Sequence, residues 1–173
     1  MKLLFCFFAC ITGLQAAELV FRSNGKELAS ISMGKIRSAE IKTRHGSVKA
    51  MELGLYNVFR QSEHVYEGYD FFQLLDAVYG KDWKKRKTLS FTAADGYVQF
   101  CLIDKMLVAA KGKTGFLAYA EKGLEGLGKF MKNGKQVDPG PLYLVWSNFS
   151  KADKASHADV LKWPYQLASI NLE

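Results

Sequence analysis

One stretch of the chain, Tyr69-Asp-Phe-Phe-Gln-Leu-Leu-Asp-Ala-Val-Tyr79, carries a strong helical period. Phe71, Leu74, Leu75 and Val78 fall at helical spacings on one face. Asp70 can accept from the free N–H groups of the first turn, and Gly80 can end the helix. On both sides of it the chain is cut into short runs, most of them strand-like. Leu19-Val-Phe-Arg22 and Leu28-Ala-Ser-Ile-Ser32 alternate around the tight-turn pair Asn24-Gly25, which reads as a hairpin. Glu40 to Arg44, Val48 to Tyr56, Glu63 to Gly68, Thr88 to Thr92, Tyr97 to Ile103, Phe116 to Ala120, Leu142 to Trp146 and Tyr165 to Leu172 read as further extended segments. Met33 to Ala39 suits one helical turn, and Asp104 can cap a short helix over Lys105 to Ala110. The glycine-rich stretch Lys122 to Lys135 reads as irregular, Lys81 to Lys87 as a basic loop, and Lys151 to Lys162 as a polar loop or short helix. A strand-rich chain with few helices belongs to the α+β class, with mixed β-sheets and a few short helices.

The N-terminus has a different composition. Met1-Lys2 is a minimal positive region, and Leu3 to Leu14 is an uncharged apolar run. That run has the length of a signal-peptide core and is too short to cross a bilayer as a helix. Ala16 and Ala17 follow, then the first acid, Glu18. The expected organisation is a signal peptide over 1–16 and one domain over 17–173, working in the periplasm or secreted. Cleavage is expected after Ala16 or Ala17. Two other readings exist: a buried apolar element, or a lipoprotein signal cut before Cys10. Nothing later in the chain is apolar for long enough to span a membrane, so the domain is expected to be soluble.

With the signal removed, Cys101 is the remaining cysteine, since Cys6 and Cys10 lie in the leader. It cannot close an intramolecular disulfide, and no haem-attachment or paired-cysteine zinc motif is present. Its apolar surroundings read as a buried small hydrophobe. The alternatives are a reactive thiol, a metal ligand or an intermolecular bridge. The full chain carries 24 basic and 17 acidic residues, a net +7. Loss of Lys2 leaves 23 and 17, a net of about +6, densest in Lys81-Asp-Trp-Lys-Lys-Arg-Lys87. Such a surface attracts acidic proteins or small anions. Nucleic acid is not an expected partner outside the cell.

Common catalytic signatures are absent: there is no phosphate-binding loop, nucleophile elbow, zinc-binding H-E-x-x-H or dinucleotide fingerprint. His45, His64 and His157 stand far apart and show no ligand spacing. Aromatic segments at strand ends are the informative residue. Tyr66-Glu-Gly68 precedes the helix, and Phe91-Thr-Ala-Ala-Asp-Gly-Tyr97 is a strand ending in a turn. Gly140-Pro-Leu-Tyr-Leu-Val-Trp-Ser-Asn148 and Trp163-Pro-Tyr-Gln166 come later.

In this order, over Tyr66 to Glu173, these segments resemble the small periplasmic form of the oxidoreductase molybdopterin-binding domain, with the fold of sulfite oxidase. The resemblance implies that fold and an association with c-type cytochromes. In the resembling proteins a cysteine stands before Ala-Asp-Gly-Tyr, and catalytic members of the wider family bind molybdenum through a thiolate. Here that place is Ala93, whose methyl group cannot coordinate a metal. No cofactor is therefore expected, with molybdopterin the possibility that the resemblance raises. The expected function is a non-catalytic binding or accessory module of an electron-transfer system, partnered by a c-type cytochrome or another acidic periplasmic protein. The alternative is a genuine molybdopterin-dependent oxidoreductase. Asp95, Gly96, Tyr97, Trp146, Asn148, Trp163 and Tyr165 form the candidate binding surface, provided that the strand ends meet; no catalytic or metal-binding residue is assigned.

Overall fold

A computed structural model of the chain describes residues 18–132, 134–153 and 159–173. The expected leader over 1–16 and His157 lie outside the described residues. The class is α+β, with two larger sheets, two small two-stranded sheets and short helices.

The hairpin forms as expected. Strands β1 (Glu18–Ser23) and β2 (Lys26–Ser32) pair antiparallel across Asn24 and Gly25, whose φ angles of 47° and 77° are those a tight hairpin turn requires. Helix α1 (Met33–Ile36) leads into β3 (Glu40–Thr43). The single strand expected over Val48 to Tyr56 is two. Strand β4 (Gly46–Lys49) pairs with β3, whereas β5 (Met51–Asn57) pairs with β6 (Ser62–Asp70). The chain changes sheet at Ala50, whose N–H donates to the Ala39 carbonyl at 2.8 Å.

Helix α2 (Phe71–Tyr79) begins at Asp70, whose Oδ1 accepts from Gln73 N at 2.8 Å, and ends at Gly80. The expected basic loop contains a 3₁₀ turn, Lys81–Lys85. Trp83 pulls this turn inward: it is 1% exposed, and its Nε1 donates to Asp76 at 2.6 Å. Strands β7 (Thr88–Ala93) and β8 (Val98–Leu102) flank the Asp95-Gly96 turn. Helix α3 (Ile103–Ala109) starts two residues earlier than expected, with Leu102 rather than Asp104 at its cap position. Strand β9 (Gly115–Glu121) follows. Within the stretch expected to be irregular, β10 (Phe130–Lys132) pairs with β11 (Lys135–Val137). Strands β12 (Tyr143–Trp146) and β13 (Leu167–Leu172) complete the chain.

One sheet runs β2-β1-β13-β7-β8, with β1 and β13 parallel and the other pairs antiparallel. The other runs β12-β9-β6-β5, antiparallel throughout. Phe71 of α2 joins them. Its ring centroid lies 6.0 Å from Phe91 of β7 and 6.2 Å from Trp146 of β12. Backbone bonds also tie them, with Leu144 N donating to Pro164 O and Leu167 N to Leu142 O. This junction sets the Trp163–Tyr165 segment beside the end of β12.

Candidate binding cleft

Where the β7–β8 turn, strand β10 and the Trp163–Tyr165 segment converge, they enclose a cleft of about 360 Å³. A second chamber of about 370 Å³ shares Tyr97, Gln99, Lys132 and Tyr165 with it. The first chamber has an aromatic lining: Phe59, Tyr97, Phe100, Phe130, Tyr143, Trp163 and Tyr165. Tyr143 organises the inner part. It stacks on Phe130 at 6.2 Å and meets Tyr165 and Trp163 at 6.4 and 6.3 Å. Its phenol is pushed well above the ordinary range by burial, so it stays protonated.

Charge enters at Lys132, Lys162 and Asp159. The Lys132 ammonium lies 5.5 Å from the Phe59 ring centroid and 5.3 Å from that of Tyr165. Two lining residues each carry a side-chain polar atom that is shielded from solvent and has no hydrogen-bond partner among the described residues: Trp163 Nε1, a donor, and Gln99 Oε1, an acceptor. Trp163 is 6% exposed.

The structure brings together some of the sequence-predicted residues and separates others. Tyr97, Trp163 and Tyr165 line the first chamber, and Asp95 lines the second with Tyr97 and Tyr165. Asp95 Oδ1 accepts from Tyr97 N at 3.0 Å, which closes the turn; Gly96 is the exposed tip between them. Trp146 is fully buried among Phe71 and Phe72, and its Nε1 donates to Lys162 O at 2.9 Å. Asn148 sits in a left-handed turn, donating to Gly112 O while its carbonyl accepts from Lys113 Nζ at 2.8 Å. Both hold the fold, and neither lines the cleft. For Trp146 the reason is strand alternation and burial, since β12 is covered on both faces and this ring points away from the face that carries Tyr143; Asn148 lies beyond the strand end and is exposed.

Sequence reasoning missed Phe59, Gln99, Phe130 and Lys132. Phe130 and Lys132 lie in the glycine-rich stretch, where the β10 and β11 runs are too short to show a period. Tyr143 stood inside a quoted segment, but nothing local marked it as the centre of a ring cluster.

Neither Ala93 nor Cys101 offers a thiolate to the cleft. Ala93 lines the second chamber with a methyl group. Cys101 is 4% exposed and contacts the Leu102 and Val160 carbonyls, and burial pushes its thiol up to about 11. A thiol held protonated away from the cleft is a poor ligand. Among the described residues no cluster of histidine, cysteine, aspartate and glutamate has metal-site geometry.

Behind Phe130 lies a polar cluster. The Arg60 guanidinium is 5.6 Å from the Phe130 centroid and pairs with Glu121. Glu121 also accepts from Gly128 N at 2.8 Å and contacts His64 Nδ1 at 3.1 Å. Asn57, fully buried, donates to Tyr66 Oη at 2.9 Å and accepts from Phe59 N at 3.0 Å. Burial pushes the Tyr66 phenol up to about 12. His64 is held below its ordinary value by burial first and by Arg60 second, against the opposing pull of Glu121.

No known protein-family model matches the chain, and no curated protein matches it. No helix among the described residues is long and apolar enough to cross a membrane.

Proposed function

We propose that the mature chain is an exported binding module of a redox system that leaves electron transfer to its partner. Its working site is the aromatic cleft, and its ligand is a small planar molecule bearing an anionic group. The Lys132 ammonium held over the Phe59 and Tyr165 rings of the lining carries the reading, because it sets a fixed positive charge against flat aromatic walls. The rings supply flat apolar walls, and Lys132 and Lys162 supply the charge for an anion. The basic surface suits docking of an acidic c-type cytochrome, with a faster encounter at low salt. Export rests on the charge-then-apolar pattern before Ala16, and N-terminal sequencing of exported protein should give Ala17 or Glu18.

Titration with flavin mononucleotide and with riboflavin tests the cleft, because the two share a ring system and differ by a phosphate. Flavin mononucleotide should quench the protein's tryptophan fluorescence and bind more tightly than riboflavin. Lys132→Gln should narrow that difference. Equal, weak binding of both by the wild-type chain would overturn the anionic-ligand reading.

A further inference from the structure

We propose that Ser62, His64 and Glu121 form an acyl-transfer site, separate from the cleft, in which Ser62 is the nucleophile for small activated esters or thioesters. Ser62, His64 and Tyr66 alternate along β6 and so share one face of the strand. Tyr66 pairs in register with Glu121 of β9, which brings that carboxylate beside the same face. Ser62 Oγ lies 2.7 Å from His64 Nε2, and His64 Nδ1 lies 3.1 Å from Glu121 Oε2. This is the connectivity of a nucleophile, a base and an orienting acid.

The protonation states follow from the partners. Arg60 and Gly128 N both donate to Glu121 Oε1, so that carboxylate is an acceptor. A neutral His64 must then carry its proton on Nδ1, which leaves Nε2 as an acceptor. The depressed basicity of His64 keeps the ring neutral at pH 7. Ser62 Oγ is also 3.2 Å from Arg60 O, a longer contact than the 2.7 Å to His64. Its hydroxyl therefore donates to the ring that would take its proton. Ser62 is exposed, whereas the Glu121 side chain is 6% exposed. The nucleophile can be reached, and its support is buried and fixed.

In the reaction, the Ser62 Oγ–carbon bond forms as its proton passes to His64 Nε2. The carbon–leaving-group bond breaks, and His64 returns that proton to the departing phenolate or thiolate. Water then attacks the acyl-serine with His64 as base, releasing the carboxylic acid and restoring Ser62. Ser62 lies outside the aromatic cleft, so the acyl group it takes is short and the leaving group a good one.

Para-nitrophenyl acetate tests the site. The purified chain should release nitrophenolate and carry one acetyl group on Ser62, located by peptide mass mapping. Ser62→Ala should reduce release to the buffer rate. His64→Gln should slow acylation about 100-fold, the scale of a lost general base. The rate should rise with pH as His64 loses its proton, with a midpoint below 6.5; Arg60, Glu121, Glu63 and Tyr66 are the groups facing that ring. Acetylation confined to lysines, or Ser62 acetylated equally fast in His64→Gln, would overturn the proposal. Because Ser62 is exposed, Ser62→Ala decides the matter even where His64→Gln unfolds the chain. Flavin binding in the cleft should be unchanged in Ser62→Ala whether or not that variant loses esterase activity, so the two readings stand or fall separately.

Discussion

Gly115 lies against the Trp146 indole: a β-carbon at Gly115 would stand 2.8 Å from ring Cζ3 and 2.9 Å from Cη2. The ring is fully buried, with Phe71 and Phe72 packed around it, so it has little room to give. Gly115→Ala should destabilise the protein by about 1–3 kcal/mol through overpacking. Urea titration would show a lower midpoint at unchanged slope. A loss under about 0.5 kcal/mol would mean that the ring moves aside.

Trp146 and Trp163 give a paired comparison. The Trp146 Nε1 donates to Lys162 O, whereas Trp163 Nε1 has no partner among the described residues. Phe in place of either loses similar apolar volume, but Trp146→Phe also orphans a carbonyl. Trp146→Phe should therefore cost about 1–3 kcal/mol more than Trp163→Phe in urea. Equal costs would show that the Trp163 N–H is satisfied in the ligand-free protein.

Stability should fall in mild acid because of His64. Its folded value lies below the unfolded value near 6.5. As pH drops through 6.5 toward the folded value, the unfolded chain takes up a proton that the folded chain resists, and stability is lost over that window. Above it the contribution is complete. His64→Gln should flatten the stability profile between about pH 7 and pH 5. An unchanged profile would place the acid sensitivity elsewhere.

Molybdenum should be far below one equivalent in chain exported from a host that makes molybdopterin. Ala93 lines the cleft without a donor atom, and Cys101 is buried outside it. Ala93→Cys should not by itself confer oxidase activity, since a thiolate alone does not shape a pterin pocket. One equivalent of metal by elemental analysis in the wild-type chain would overturn this, and its loss in Cys101→Ser would identify the ligand.

Local signals were enough for the elements that depend on neighbours in sequence. Asn24-Gly25 specifies its hairpin because both residues accept positive φ, and Asp70 specifies the start of α2 because a carboxylate three residues ahead caps Gln73. The α+β class follows from the same local periods. Tertiary structure alone decided that β1 pairs in parallel with β13, and that Ala50 is a crossing between sheets. It also decided that Lys132 and Phe130 meet Trp163 and Tyr165 across a cleft, while Trp146 faces inward. Ser62 and His64 show their spacing in the chain, but Glu121 lies 57 residues beyond His64 and reaches it only through the pairing of β6 with β9. Periodicity records which face of a strand is apolar. It does not record which strand will lie beside it, because that choice is made by the burial of whole faces against one another.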